Sequence, residues 1–328
     1  MTTKTLSLKN SRPFRKIFNH GDNIWNTLLV FAAFLLLVVV LAIGYLLWKD
    51  SAGARALLGI KFLLPTNDPT WNPVTDKFQA WPFIYGTLIT SAFALLFAIP
   101  ISLGIAIFLA ELCPHWLRGP LGTLIELLAA IPSVVYGLWG LFIFVPVVVH
   151  PIAVFLDEVL GFLPLFAGPL PASGASRLAA AIILTIMIIP TIASVIRDVL
   201  MAIPGSQREA SLALGATQWE TIWQVLVPYG LSGILGATIL GLGRALGETM
   251  AVTMVIGNSI EGSVSLLRPG YTMASIIANE FAEAVSKIHS ESLIAIGLTL
   301  FFITLFLNII ARLLVWSVAR RTPQEARI

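Results

Sequence analysis

Three ionisable residues lie inside long apolar stretches of the sequence: Arg244 and Glu248 share one stretch, and Glu126 lies in another. At the centre of a bilayer a charged side chain costs about 2.5 to 3.5 kcal/mol on insertion scales, so such residues face a protein interior or an aqueous cavity. On a continuous helix, Arg244 and Glu248 are one turn apart and can pair. Because a guanidinium beside a carboxylate can bind and release an anion, we predict a pathway lined by these three residues.

Two structural alternatives stay open for these charges. The pair formed by Arg244 and Glu248 could fix the register of its helix without contacting a ligand. Glu126 could lie close enough to the membrane interface to be solvated.

Cofactor sites are not predicted in this chain. Glycines surround Arg244, but the sequence has no Gly-Lys dipeptide and no strand before these glycines, which excludes a nucleotide-binding P-loop. Cys113 is the only cysteine, and the four histidines are scattered without metal-ligand spacing. If ATP powers this protein, ATP and Mg are bound by another chain.

The composition indicates a membrane protein with several spans. Hydrophobic residues make up 57% of the 328 residues and charged residues 11%, which a soluble domain of this size could hardly keep in solution. The positive charge is spread over the ends and loops without a basic stripe, so no nucleic-acid partner is predicted. The partner of the apolar surface is the lipid bilayer.

The apolar stretches predict an all-α fold with six transmembrane helices, at residues 24–48, 85–112, 121–149, 177–200, 228–257 and 293–318. Proline within three of these spans predicts helix kinks at Pro100, Pro132 and Pro190. Residues 150–176, rich in Pro and Gly, are predicted to be irregular. Trp71, between the first two spans, fits the aromatic belt of a membrane interface.

The predicted organisation follows from these spans. An N-terminal arm (1–23) precedes the first span, an outer loop (49–84) follows it, and a membrane core (85–318) leads to a tail (319–328). More Lys and Arg residues lie on the side of the termini than on the other side. The positive-inside rule therefore places both termini in the cytoplasm, together with a polar insertion at 201–228.

This insertion, called the polar hairpin below, is predicted to form two capped helices. Ser206 stands three residues before Glu209, and Thr217 stands three before Glu220, so each pair can form a capping box. Gly215 lies where the first helix must reverse and where a positive φ is favoured. Pro228 is predicted to close the second helix.

The spacing within the polar hairpin resembles the EAA loop of ABC importer permeases, written EAA, three residues, G, nine residues, I-x-L-P. Here Glu209, Ala210, Gly215 and Pro228 keep the pattern, while serine and valines replace other positions. An ordinary amphipathic hairpin would explain the caps but not the whole spacing. The resemblance implies that these four residues form a loop that couples to an ATPase.

Several further blocks together resemble the phosphate-specific ABC transporter permeases of PstC type across most of the chain. They read ELLAAIPSVVYG (126–137), IMIIP (186–190), GLGRALGETMA (241–251) and NEFAEA (279–284). The resemblance implies a type I ABC importer permease fold. It also implies a PstA-type second permease, a PstB-type ATPase dimer and an extracytoplasmic phosphate-binding protein as partners. The membrane Arg and Glu of that family map onto Arg244 and Glu248.

The leading hypothesis is thus a permease subunit that imports inorganic phosphate and is not itself an enzyme. A permease for another oxyanion, such as sulfate or molybdate, is the alternative within this class. A membrane enzyme would need a nucleophile–base pair or a metal cluster, neither of which is visible in the sequence. A secondary carrier would not need the polar hairpin.

Overall fold

The structure, a computed structural model, describes residues 14–65, 71–260 and 262–319, so most of the predicted arm (1–23) and tail (319–328) lies outside it. The described residues are mainly helical and form no β-strand. In chain order the α-helices are α1 (Phe14–Asp50), α2 (Ala52–Leu58), α3 (Trp81–Ile107), α4 (His115–Ala130), α5 (Ser133–Trp139), α6 (His150–Leu160), α7 (Arg177–Met201), α8 (Gly205–Ala213), α9 (Gln218–Glu220), α10 (Val227–Gly247), α11 (Met250–Val255), α12 (Met273–Glu280) and α13 (Lys287–Ala319). Three π-helical stretches extend this set, at Phe108–Leu112, Gly140–Val149 and Thr221–Leu226, and two 3₁₀ turns lie at Gly59–Phe62 and Phe281–Glu283.

Six helical segments of the described chain are long and apolar enough to cross a membrane, which confirms the predicted number. They are Trp25–Asp50, Trp81–Leu112, Ser133–Leu160, Arg177–Met201, Gln218–Gly247 and Lys287–Ser317. The prediction for the third span was wrong, because 121–149 contains a break and the spanning segment begins after it. The first part of 150–176, predicted to be irregular, is instead the helix α6.

The chain divides into two units, residues 1–49 and residues 50–328. In the first unit, α1 is a helix of 37 residues, and its side chains from Trp25 onward are nearly all exposed. Such an apolar surface suits contact with lipid.

The second unit is organised around α7, the most deeply buried span. It packs against α3, α4, α10 and α11. Its largest buried apolar side chains come from successive turns: Ile183, Leu184, Met187, Ile188, Ile192, Ile196 and Leu200. Because neighbours surround this helix, its apolar residues are not confined to one stripe.

The start of α7 is fixed by the segment that follows α11. Ser176 caps the helix by accepting a hydrogen bond from the amide of Ala179 at 3.2 Å. The amides of Arg177 and Leu178 donate to the carbonyls of Arg268 (3.1 Å) and Leu266 (2.8 Å). Amides that a helix start leaves unpaired are thus satisfied by the segment between α11 and α12.

The segment between α2 and α3 packs against other parts of the second unit through Trp71. Trp71 is 5% exposed, contacts Phe78 and Phe83 edge to face, and donates from its indole nitrogen to Glu280 Oε2 at 2.6 Å. Trp71 thus packs inside the protein, and its place at a membrane interface stays a prediction. Tertiary packing, which the composition of the loop does not reveal, gives the indole N–H a partly buried partner.

Candidate functional site

The helix that carries Arg244 ends three residues later, and this break decides the geometry of the predicted pathway. Glu248 has extended backbone angles (φ −68°, ψ 128°), and a new helix, α11, begins at Met250. Arg244 and Glu248 are therefore not one turn apart on a continuous helix. The described residues contain no ion pair between them, so the predicted pairing was wrong.

Arg244 instead reaches from α10 to α7. Its Nη1 donates to Thr191 Oγ1 at 2.9 Å, and it lies within electrostatic range of the hydroxyl of Tyr136. Among the described residues this is the one hydrogen bond that the guanidinium makes to protein. A guanidinium has five N–H donors, so the remaining four can serve a ligand with several oxygens.

Glu248 is held by the start of α11. Its Oε1 accepts a hydrogen bond from the amide of Ala251 at 3.2 Å, and the side chain is partly buried. A carboxylate near the first turn of a helix is favoured by the unpaired amides there. The charge of Glu248 is thus stabilised without Arg244, which leaves the guanidinium open to another anion.

A second break lies beside the first. α4 ends at Ala130, Ile131 and Pro132 are extended, and α5 begins at Ser133, so Pro132 separates two helices. The hydroxyl of Tyr136 donates across the break to the carbonyl of Leu128 at 3.0 Å.

The two short helices that follow the breaks pack against each other at Gly137. A Cβ on Gly137 would lie 3.0 Å from Ala251 Cα and 2.6 Å from Met254 Sδ. The backbones of α5 and α11 can approach this closely because position 137 has no side chain. The break before α5 and the break before α11 are therefore joined by close helix packing.

Glu126 lies in α4, before the third span and not within it. Its side chain is 59% exposed and accepts a hydrogen bond from Arg197 Nη2 at 2.8 Å. Arg197 also contacts Asp198 at 2.9 Å. The ion pair with Arg197 accounts for the charge of Glu126, while its role in a pathway stays a prediction.

The other two predicted kink sites, Pro100 and Pro190, lie inside the uninterrupted helices α3 and α7. Next to Pro190, the hydroxyl of Ser102 in α3 donates to the carbonyl of Ile189 at 3.2 Å. Such contacts between neighbouring helices let a proline persist within a span.

The first helix of the polar hairpin starts earlier than predicted. Pro204 precedes α8, no side chain caps this helix, and Ser206 already lies inside it. The predicted capping box of Ser206 and Glu209 was therefore wrong, and both Glu209 and Ala210 are exposed on α8. Gly215 has φ +88°, as predicted for the reversal.

The second helix of the hairpin begins with the predicted capping box. The Thr217 amide donates to Glu220 Oε2 at 2.7 Å, and the Glu220 amide donates to Thr217 Oγ1 at 3.3 Å. Pro228 does not close this helix, contrary to the prediction. It lies inside the continuous helical segment Gln218–Gly247, just after the π-helical stretch Thr221–Leu226, so the hairpin leads directly into the fifth span.

Sequence reasoning missed several contacts of both regions. Thr191 and Tyr136 contact or neighbour Arg244, and Arg208 pairs with Glu111 at 2.7 Å. Arg244 and Thr191 are 53 residues apart in the sequence, and Arg208 and Glu111 are 97 apart. The contact of Tyr136 with Leu128 is local, at eight residues. Tyr136 is part of the block ELLAAIPSVVYG (126–137), and this membership was the available signal that Tyr136 belongs to the site.

Comparison with known families assigns the membrane core. A family model described as "Binding-protein-dependent transport system inner membrane component" matches residues 102–321. A protein named "Phosphate transport system permease protein PstC" from Xylella fastidiosa (strain Temecula1 / ATCC 700964) is 46% identical over 293 residues, with 88% of each chain covered. A protein of the same name from Haemophilus influenzae (strain ATCC 51907 / DSM 11121 / KW20 / Rd) is 44% identical over 318 residues, covering 96% of this chain and 97% of its own.

Solved structures share the fold at low sequence identity. A bacterial ABC transporter involved in the import of alginate has a chain with a TM-score of 0.57 and 16% identity, covering 93% of this chain and 100% of its own. A chain of the MetNI methionine ABC transporter in an inward-facing conformation has a TM-score of 0.53 and 18% identity, covering 76% of this chain and 99% of its own. The fold is thus that of type I ABC importer permeases, as predicted.

Proposed function

This chain belongs to the family of binding-protein-dependent transport system inner membrane components, and from this membership we propose that it is the membrane-spanning permease subunit of an ATP-driven phosphate importer. It is a multi-pass protein of the bacterial inner membrane and a transport component, not an enzyme. Relatives named as phosphate permeases, 44% to 46% identical over most of the chain, support phosphate over sulfate or molybdate.

The proposed assembly contains a PstA-type second permease, two PstB-type ATPases and an extracytoplasmic phosphate-binding protein. The relatives' names and the importer fold support the presence of such partners. ATP and Mg would be bound by the ATPase chains. The exposed residues of the polar hairpin, Glu209 and Ala210 with the turn at Gly215, would form the surface that contacts the ATPase.

The observation that carries the proposed pathway is the arrangement of Arg244. Its guanidinium is partly buried, is oriented by Thr191 and keeps most of its donors available. Inorganic phosphate is an anion at neutral pH, and a planar guanidinium can donate to two of its oxygens at once. Glu248, four positions on at the break, would repel the bound anion and favour its release. Passage needs binding that is weak enough to reverse.

Reconstitution tests this proposal. The complete complex in proteoliposomes, with binding protein outside and ATP inside, should accumulate radioactive phosphate. Arg244→Gln should abolish or strongly reduce uptake while the complex still assembles. Arg244→Lys should restore part of the uptake, because it returns the charge but not the planar pair of donors of a guanidinium. Excess sulfate or molybdate should not compete. Normal uptake by an assembled Arg244→Gln complex would refute the pathway. Competition by sulfate or molybdate would contradict the assignment of phosphate as the specific substrate.

A further inference from the structure

We propose that the ion pair between Arg208 and Glu111, called the joint below, transmits movement of the polar hairpin to the membrane helices. This inference rests on the proposed ATP-driven function. Neither residue belongs to the spacing by which the hairpin was predicted. Arg208 lies in α8, and Glu111 lies in the π-helical end of the second span, Phe108–Leu112.

The two side chains form a bidentate ion pair. Arg208 Nη2 donates to Glu111 Oε1 at 2.7 Å, and Arg208 Nε is 3.1 Å from both carboxylate oxygens. Planar groups that match in this way fix orientation as well as distance. The second span and the first helix of the hairpin are therefore held in one relative orientation.

Arg208 also contacts the end of α7. Its Nη1 donates to the carbonyl of Ile203 at 2.7 Å, and its Nη2 donates to the carbonyl of Leu200 at 2.7 Å. Carbonyls at a helix end lack partners within the helix, and a positive charge there is favoured by the helix dipole. One guanidinium thus connects α8 to α7 and to the second span.

Glu111 contacts the other half of the hairpin through its backbone. Gln218 Nε2, in α9, donates to the carbonyl of Glu111 at 3.3 Å. The halves are also joined to each other, because the hydroxyls of Ser211 and Thr221 lie 2.9 Å apart. Both helices of the hairpin are therefore tied to the end of the second span.

The shielding of this pair distinguishes it from an ordinary surface salt bridge. The exposed fractions of the side chains are 23% for Arg208 and 10% for Glu111, so both are shielded, whereas the pair of Arg197 (12%) and Asp198 (64%) has one exposed partner. Exposed pairs hold their geometry weakly, whereas removal of one partner from a shielded pair leaves an uncompensated charge. Force on the hairpin would thus reach α7, which carries Thr191, the partner of Arg244.

A distance measurement in the intact complex tests the joint without any substrate. Spin labels are placed at Leu214→Cys in the hairpin turn and Phe108→Cys in the second span, in a Cys113→Ser background. With Arg208 and Glu111 present, we expect the same distance between the labels in the nucleotide-free and ATP-trapped states. Adding Glu111→Gln should make the distance differ between the states. A distance that already differs with the pair intact would overturn the proposal.

Coupling provides the second measurement. In assembled complexes, Glu111→Gln and Arg208→Gln should lower the phosphate transported per ATP hydrolysed by about tenfold, the change expected for one lost charge-assisted hydrogen bond. Arg208→Lys should fall between these variants and the wild type, and Asp198→Asn, which breaks the exposed pair, should keep the wild-type ratio. A purely structural role predicts less assembled complex with an unchanged ratio, which would refute the joint. A wild-type complex that hydrolyses ATP without carrying phosphate would refute the proposed function, while the label distance would still decide on the joint.

Discussion

Arg244 in α10 and Thr191 in α7 are joined by a hydrogen bond of 2.9 Å, although they are 53 residues apart in the sequence. The bond replaces the expected pairing of Arg244 with Glu248. It connects the proposed phosphate-binding group to the central helix of the fold. The charges of Arg244 and Glu248 are therefore positioned separately, each by a different element.

The hydroxyl of Thr191 should be needed for transport. Thr191→Val keeps the shape but removes the acceptor of the Arg244 bond, so phosphate uptake should fall by about tenfold, as expected for a lost bond to a charged donor. Thr191→Ser should restore uptake. Ser194→Ala is the matched control, because the Ser194 hydroxyl bonds the carbonyl of Thr191 within its own helix. Uptake assays with equal amounts of assembled complex measure the effect, and wild-type uptake by Thr191→Val would contradict it.

Exchanging the two charges should not restore transport. Glu248 is bonded to the amide of Ala251 at the start of α11, and an arginine there would place a positive charge beside unpaired amides. The double variant Arg244→Glu, Glu248→Arg should thus remain inactive, while Glu248→Gln alone should slow uptake through release. Recovery of phosphate uptake in the exchanged variant would show that the two charges have a purely structural role.

Local chemistry predicted some features of the hairpin and failed at others for identifiable reasons. Thr217 and Glu220 form their capping box because α9 begins at Gln218, directly after Thr217. Ser206 does not cap its helix, since Pro204 has extended angles (ψ 137°) and α8 begins at the next residue. The turn at Gly215 was predictable because a positive φ is a local requirement.

The prolines of the spans show where sequence reasoning ends. The residue before a proline is driven towards extended angles, and Ile131 before Pro132 adopts them (ψ 130°). Pro100 and Pro190 have similar apolar surroundings in the sequence, yet their helices continue. Neighbouring helices decide between these outcomes, and their positions depend on contacts between distant residues. The contacts of Arg244 and Arg208 could not be predicted for the same reason.

The orientation in the membrane can be tested with single cysteines. In a Cys113→Ser background, we expect a membrane-impermeant maleimide to label Val285→Cys from the outside of intact cells but not Leu214→Cys. These positions are 97% and 91% exposed, so access depends on the side of the membrane and not on burial. Permeabilised cells, in which both should react, supply the control. Labelling in the opposite sense would overturn the topology and the contact of the polar hairpin with an ATPase.

Gly86 should be intolerant of any side chain. In α3, a Cβ at this position would collide with the backbone carbonyl of Tyr271, which cannot move as a flexible side chain can. Gly86→Ala should destabilise the purified protein by about 1 to 3 kcal/mol through overpacking, seen as a lower midpoint of thermal unfolding in detergent. Gly104→Ala in the same helix is the control, because nothing lies within 4 Å of its added Cβ. Equal midpoints for the two variants would contradict the close approach.

The turn at Gly215 should control coupling without controlling insertion. Its φ of +88° is open to glycine but strained for a β-branched residue, at a cost of about 1 to 3 kcal/mol. No atom lies within 4 Å of a Cβ added there, so backbone strain and not a clash is the expected cause. Gly215→Val should therefore insert normally but lose phosphate uptake and co-purify less ATPase. Gly205→Val, also free of contacts but without a positive φ, should keep both phosphate uptake and ATPase association. Normal uptake and unchanged ATPase association in Gly215→Val would show that the hairpin does not transmit the energy of ATP to this subunit.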